Sequence, residues 1–269
     1  MSVCVPVTLD SSSDFVPTRA ARRLESRSYL RLVQLLGRRV EQPPVGDPVP
    51  VVLVPGFISG DVSLGVLARH VRRAGHRTFR SGIGANLGCT EAMVQRLVRR
   101  VERVVDDEQR RIALVGHSRG GMIVNLAARE RPDLVAGIVV LSAPVTGTLS
   151  VAAHVRAQLE ILFRLRRRGL GGVIGEDCVT GECGTTVAQR LASPFPPDVP
   201  YTSVYSRADA IIDWRTCLDP YAELVEVHSS HTGMGTDLAV RRVVADRLAA
   251  MSLPASRRDE LSDQLADPA

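Results

Sequence analysis

Lysine is absent. All 34 basic residues of the chain are arginine. That excludes Schiff-base chemistry at a lysine amine and a phosphate loop of the Walker type. Aromatic residues are scarce, at 4% with a single tryptophan. No stacking platform for bases can be assembled from them, and the arginines are spread over many predicted helices. The net charge of +5 therefore reads as a solvated surface, and no nucleic-acid partner is expected. The five cysteines, Cys4, Cys89, Cys178, Cys183 and Cys217, are odd in number and scattered, unlike a secreted disulfide framework. No apolar run is long enough to span a bilayer. The start, MSVCVPVTLDSSSDF, has no positive region followed by an apolar core. A soluble, cytoplasmic chain is the expectation.

What is present is enough for a large core. The chain has 269 residues, 45% of them hydrophobic, which suits one large α/β domain or two small ones. The stretch RIALVGHSRGGMIVNLAARER, residues 111–131, organises the rest. It runs from an apolar strand, Ile112–Val115, through the small-residue turn Gly116-His117-Ser118-Arg119-Gly120-Gly121, into an apolar helical pattern. Strand, sharp turn and helix are the context in which G-x-S-x-G presents a nucleophile. Glycine permits the close approach of strand and helix. The first amides of the new helix point toward any negative charge that develops beside Ser118.

The remaining chain alternates strand and helix. Strands are expected at 51–54, an apolar run suited to burial on both faces, and at 77–79, 112–115, 138–141, 202–205 and 224–227. Helices are expected at 63–74, 91–108, after the Ser118 turn, and at 237–251. This is the pattern of a mostly parallel central sheet flanked by helices, an α/β fold. The predicted organisation is an N-terminal segment and helix at 1–49, a core at 50–144 and 199–253, an inserted helical lid or cap at 145–198, and a polar tail at 254–269. The helical pattern at 19–40 carries leucines among arginines. It is a surface helix packed on the body, or a basic amphipathic helix that makes peripheral membrane contact.

A serine hydroxyl needs a base, an acid that orients the base, and donors for the oxyanion. Of the six histidines, His70 and His76 read as surface residues, His117 is held by the turn, and His154 lies in the insertion. His231, in the loop SSHTGM, is preferred to His228, which sits at a strand end. Asp209 follows the strand 202–205 and is preferred as the acid. Asp213 is its competitor, with a turn cap as its other use, and Asp219 before Pro220 looks like turn chemistry. The oxyanion donors are expected to be the Arg119 N–H and the Phe57 N–H in the early loop Pro55-Gly56-Phe57. Cys178 and Cys183 are close enough in sequence to bridge, or are two free thiols. Cys89 and Cys217 stand isolated, and no metal site is expected.

Taken together, LVPGF, GHSRGG, YSRADAIID and SSHTGM resemble the α/β-hydrolase superfamily, more narrowly its bacterial lipase- and esterase-like members. The resemblance covers residues 50–250. It implies hydrolysis of a small-molecule or lipid-like acyl ester through an acyl-enzyme, with no cofactor. An acyltransferase or a thioesterase would use the same residues, and a non-catalytic scaffold of the same fold is the third reading. Two departures stand out. Pro55 occupies a position where many members carry histidine. Arg119 is larger than the usual residue there, and reads either as lining the entrance or as a surface salt bridge. The apolar run Leu159, Ile161, Leu162, Phe163 and Leu165 in the insertion hints at a medium or long acyl chain, or simply packs the insertion on the body.

Overall fold

The computed structural model describes residues 15–35, 47–147 and 149–253. Six strands form one sheet: β1 (Val51–Val54), β2 (Thr78–Arg80), β3 (Ile112–His117), β4 (Val135–Leu141), β5 (Tyr201–Tyr205) and β6 (Glu223–Glu226). Their spatial order is β2-β1-β3-β4-β5-β6, and every neighbouring pair is parallel. The sequence explains the sheet directly. β1, β4 and nearly all of β3 are continuous apolar runs, which parallel strands require because helices cover both faces. Alternate residues supply the two cores. Val52, Val54, Ile112 and Leu114 pack with α3 (Thr90–Glu108) and α4 (Arg119–Glu130). Val51, Leu53, Ala113 and Val115 pack with α2 (Gly65–Arg73) and α7 (Leu238–Met251). β6 is the exposed edge, and its glutamates face solvent.

The chain winds outward from β1 to β2, returns to β3, and then proceeds the other way. The loops after β1 and β3 therefore diverge at the carboxyl ends of adjacent strands. Open α/β sheets bind ligands at such a switch point.

Between β4 and β5 the alternation is interrupted by α5 (Ala153–Arg167), a short 3-10 turn (Glu176–Cys178) and α6 (Glu182–Ala192). The leucine-rich helical pattern of residues 151–168 corresponds to α5, but α6 is not anticipated. Its sequence, ECGTTVAQRLA, has a glycine and two β-branched threonines in its first half, all weak helix formers. Packing forms the helix instead: Val187 and Leu191 are buried in the core shared with α3 and α4. Leu159, Leu162 and Phe163 of α5 make a smaller cluster with Ile174 and Val179 that rests on Phe57 and Leu87. Ile161 and Leu165, in contrast, are exposed.

The N-terminal helix α1 (Arg19–Leu35) packs against the 3-10 turn Thr232–Gly235 near the end of the chain. It docks with Ala21 and Glu25, which are buried. Residues 36–40 of the expected helix lie outside the described residues, as does the expected tail from 254. Two histidines depart from expectation. His70 and His76 are buried rather than on the surface. His70 lies on the inward face of α2. The turn at Gly75, with φ 98°, folds His76 back under the sheet, where its Nδ1–H donates to the Val49 carbonyl at 2.9 Å. No helix among the described residues is long and apolar enough to cross a membrane.

Candidate active site

Ser118 stands between β3 and α4 with φ 54° and ψ −127°. A non-glycine residue held there costs on the order of 1–3 kcal/mol, which the surrounding packing must supply. The flanking glycines show how the turn is held. A Cβ on Gly120 would lie 2.3 Å from the Val54 carbonyl oxygen, and one on Gly116 would lie 2.5 Å from the Gly120 carbonyl oxygen. A Cβ on Gly121 would meet the Ala143 Cβ at 2.5 Å. All three positions are closed to any side chain, so the spacing G-x-S-x-G-G records van der Waals contact between backbones. Arg119 is the first residue of α4, and its N–H has no carbonyl partner within the helix.

The loop after β1 comes close to this turn. A Cβ on Gly56 would sit 3.2 Å from the Ser118 Cβ. Phe57 follows, and both Phe57 and Ser118 line one cavity of about 390 Å³. Leu159, Val187, Ile212 and His231 also line it. The volume falls in the range of small-molecule sites. Most of its wall is apolar.

His231 and Asp209 meet although 22 residues separate them, with His231 Nδ1 donating to Asp209 Oδ2 at 2.7 Å. The other carboxylate oxygen accepts the Ile211 and Ile212 amides at 2.7 and 3.0 Å. Burial would raise the Asp209 pKa, but the charge and hydrogen bond of His231 outweigh it, aided by these amides. The carboxyl stays below its ordinary value. Burial acts on His231 in the lowering direction. The Asp209 carboxylate, with Glu25 behind it, reverses this, and the imidazole titrates above its ordinary value. Ser118 Oγ makes no hydrogen bond among the described residues. Ser118 and His231 line the same cavity, and a contact between nucleophile and base commonly tightens only with substrate bound.

The competing candidates are placed elsewhere. His228 is exposed beyond β6. Asp213 caps a 3-10 turn, accepting the Arg215 amide at 3.0 Å. Asp219 accepts the Tyr221 amide at 3.0 Å and lies beside Arg129. His154 lines the cavity from α5.

Three residues to which the sequence assigns no part in the site support it. Glu25 of α1 accepts the His231 N–H and the Thr232 N–H, both at 2.9 Å, and the Thr232 hydroxyl. A carboxylate from the other end of the chain thus anchors the histidine loop. His117 packs its ring on His231, with centroids 4.9 Å apart. Its Nε2–H donates to the His231 carbonyl at 3.0 Å. Burial, reinforced by the charge of His231, lowers the His117 pKa to about 3. Asn86, in the glycine-rich loop after β2, donates from Nδ2 to the Pro55 carbonyl at 2.8 Å.

Arg119 lines the cavity, as one of the two readings of its sequence position expects, but it is not an exposed residue. Its side chain is buried and forms no salt bridge among the described residues. Its guanidinium donates to the Asn86 carbonyl at 2.9 Å, the Asn86 Oδ1 at 2.8 Å, the Gly88 carbonyl and the Thr90 hydroxyl. It braces the loop 86–90 against the Ser118 turn. Burial lowers its pKa to about 10, partly offset by the neighbouring thiols of Cys89 and Cys178.

A sequence model of the alpha/beta hydrolase family matches residues 51–262. The chain belongs to that family. Solved structures agree on the fold of this alpha/beta hydrolase. The mature lipase of Bacillus licheniformis superposes with a TM-score of 0.59 at 15% identity, covering 79% of this chain and 96% of that one. A monoacylglycerol lipase from Paleococcus ferrophilus gives 0.55 at 18% identity, covering 76% and 97%. A metagenomic carboxyl esterase gives 0.54 at 18% identity and covers 93% of this hydrolase and 95% of its own chain.

Proposed function

We propose that this alpha/beta hydrolase cleaves carboxylic esters through a serine acyl-enzyme. The observation that carries the reading is the strained Ser118 at the head of α4, sharing a cavity with a histidine that is hydrogen-bonded at 2.7 Å to a buried aspartate. Ser118 Oγ attacks the ester carbonyl carbon, and its proton passes to His231 Nε2. The oxyanion is held by the Phe57 and Arg119 N–H groups. Collapse breaks the ester bond, and the departing alkoxide takes the proton from His231. Water then attacks the acyl-enzyme, giving a proton to His231, which returns it to Ser118 as the acid leaves. Asp209 stays ionised and stabilises the imidazolium. The segment between β4 and β5 acts as the cap, with Leu159 and Val187 forming the acyl wall.

An apolar acyl wall predicts a chain-length dependence. Burying one methylene contributes about 0.8 kcal/mol, so kcat/KM should rise up to about fourfold per added methylene until the cavity is filled. A panel of aryl esters of increasing acyl length measures this. A flat profile would place the acyl chain outside the cavity, and no turnover of any ester would remove the reading.

The raised His231 pKa gives a second expectation. The base form is needed, so kcat/KM falls as pH drops through that pKa, with a midpoint above the ordinary 6.5. Glu25→Gln removes one of the two carboxylates that favour the imidazolium, so the midpoint should move down. A midpoint unmoved by Glu25→Gln would contradict a role for Glu25 in setting it.

A further inference from the structure

Three cysteines that look unrelated in the sequence converge in the fold. Cys89 is the N-cap residue of α3, Cys178 ends the 3-10 turn, and Cys183 lies in the first turn of α6. Their sulfurs all lie within 4.8 Å of one another, and the Cys89 and Cys183 sulfurs are 3.5 Å apart. All three are free thiols and half-buried. The sequence reading of Cys89 as isolated, and of Cys178 and Cys183 as a pair within the insertion, is therefore revised. The gathering thiol comes from the body of the protein, across the joint with the segment that holds α5 and α6.

We propose that Cys89, Cys178 and Cys183 form a three-thiolate site for Zn(II) that fastens this segment to the body. Zinc–thiolate bonds of about 2.3 Å in a tetrahedral arrangement put neighbouring sulfurs about 3.8 Å apart. The observed cluster needs only side-chain adjustment to reach that spacing. A disulfide would use two of the three sulfurs, and would need one pair to close to about 2.0 Å.

The charge of the surroundings is the second observation. Arg119 is buried, and among the described residues its guanidinium has only neutral acceptors: Asn86 O and Oδ1, Gly88 O and Thr90 Oγ1. A buried cation calls for a counter-charge. Two of its acceptors, Gly88 and Thr90, flank Cys89 in the chain. Three thiolates and one divalent zinc carry a net charge of −1, which one arginine balances. A monovalent thiophilic ion would leave −2. Binding releases the three S–H protons to solvent as the zinc–sulfur bonds form. The fourth zinc position is left to water or another small ligand. Cys178 also lines the cavity beside Thr90, which gives the ion a route inward.

The site lies one loop away from Ser118. Gly88 and Thr90, on either side of Cys89, are the residues Arg119 braces against, so the ion would rigidify both the cap joint and the loop behind the turn.

The test uses the full-length protein, reduced and then stripped with a chelator. Zn(II) is titrated in competition with a chromophoric chelator, and Co(II) is used in parallel as a spectroscopic probe. One equivalent of Zn(II) should bind, with the intense near-ultraviolet thiolate-to-Co(II) absorption in the Co(II) form. Cys183→Ser should weaken Zn(II) binding by more than the roughly tenfold that loss of a ligand's outer hydrogen-bond partner already costs, and Cys178→Ser likewise. Should either variant fail to fold, the Co(II) spectrum of the unmodified protein still decides the matter. Absence of thiolate-to-Co(II) absorption would overturn the proposal. So would a Cys89–Cys183 disulfide that persists in the reduced preparation, or Zn(II) binding unchanged in both variants. None of these readouts depends on ester turnover, so failure here and failure of the hydrolase reading are distinguishable.

Discussion

Ser118→Ala should lower kcat for aryl esters by a factor on the order of 10⁶, the scale seen when a serine nucleophile is removed from a triad. The fold should survive, because the elbow is held by backbone contacts at Gly116, Gly120 and Gly121 rather than by the Ser118 hydroxyl, which makes no hydrogen bond among the described residues. Alanine at φ 54° bears the same backbone strain as serine, so the thermal midpoint should be close to that of the parent. Ser118→Gly separates strain from chemistry. It should be equally inactive, yet more stable by roughly 1 kcal/mol, because glycine adopts this backbone freely, although its more flexible unfolded chain offsets part of the gain. Esterase assays and thermal melts on the two variants read both effects. An active Ser118→Ala variant, or an unfolded one, would contradict the assignment of the turn.

Asp209→Asn should cost about 10⁴ in kcat with little change in fold, the magnitude expected when a triad acid becomes an amide. The asparagine side-chain oxygen can still accept the Ile211 and Ile212 amides, which hold the loop after β5. The other position then offers an N–H to His231 Nδ1 in place of a carboxylate oxygen. That favours the tautomer with its proton on Nε2, where it cannot receive the Ser118 proton. The imidazolium also loses its counter-charge, so any residual activity should titrate at lower pH than in the parent. Among the described residues, neither of the competing aspartates is placed to substitute. Asp213 is engaged at its turn, and Asp219 is held by the Tyr221 amide. Activity within tenfold of the parent would show that Asp209 is not the orienting acid.

These expectations rest on features that local sequence made legible to different degrees. Val51–Val54 and the apolar runs of β3 and β4 announce a parallel sheet because strands covered on both faces have no polar side to show. The Ser118 turn is equally plain, since only glycine tolerates the contacts at 116, 120 and 121. The preference for Asp209 over Asp213 and for His231 over His228 follows from where strands end, and the structure brings the preferred pair to hydrogen-bonding distance. The supporting groups were invisible for a physical reason: they are long-range. Glu25 meets the His231 loop across 206 residues, and Cys89 meets Cys183 across 94. No periodicity or turn chemistry records such encounters. α6 escapes the sequence pattern because tertiary burial of Val187 and Leu191 overrides the weak propensity of its first half. His76 departs from its expected surface position because the turn at Gly75 reverses it into the interior.

The central claim is that Ser118 is a nucleophile activated by His231. Reaction of the native protein with a fluorophosphonate, followed by peptide mapping by mass spectrometry, tests it most directly. A single phosphonyl adduct is expected on Ser118, formed in step with loss of esterase activity and slowed severely by His231→Ala. Inactivation with the adduct on any other residue, or no adduct on Ser118 while ester turnover proceeds, would contradict it.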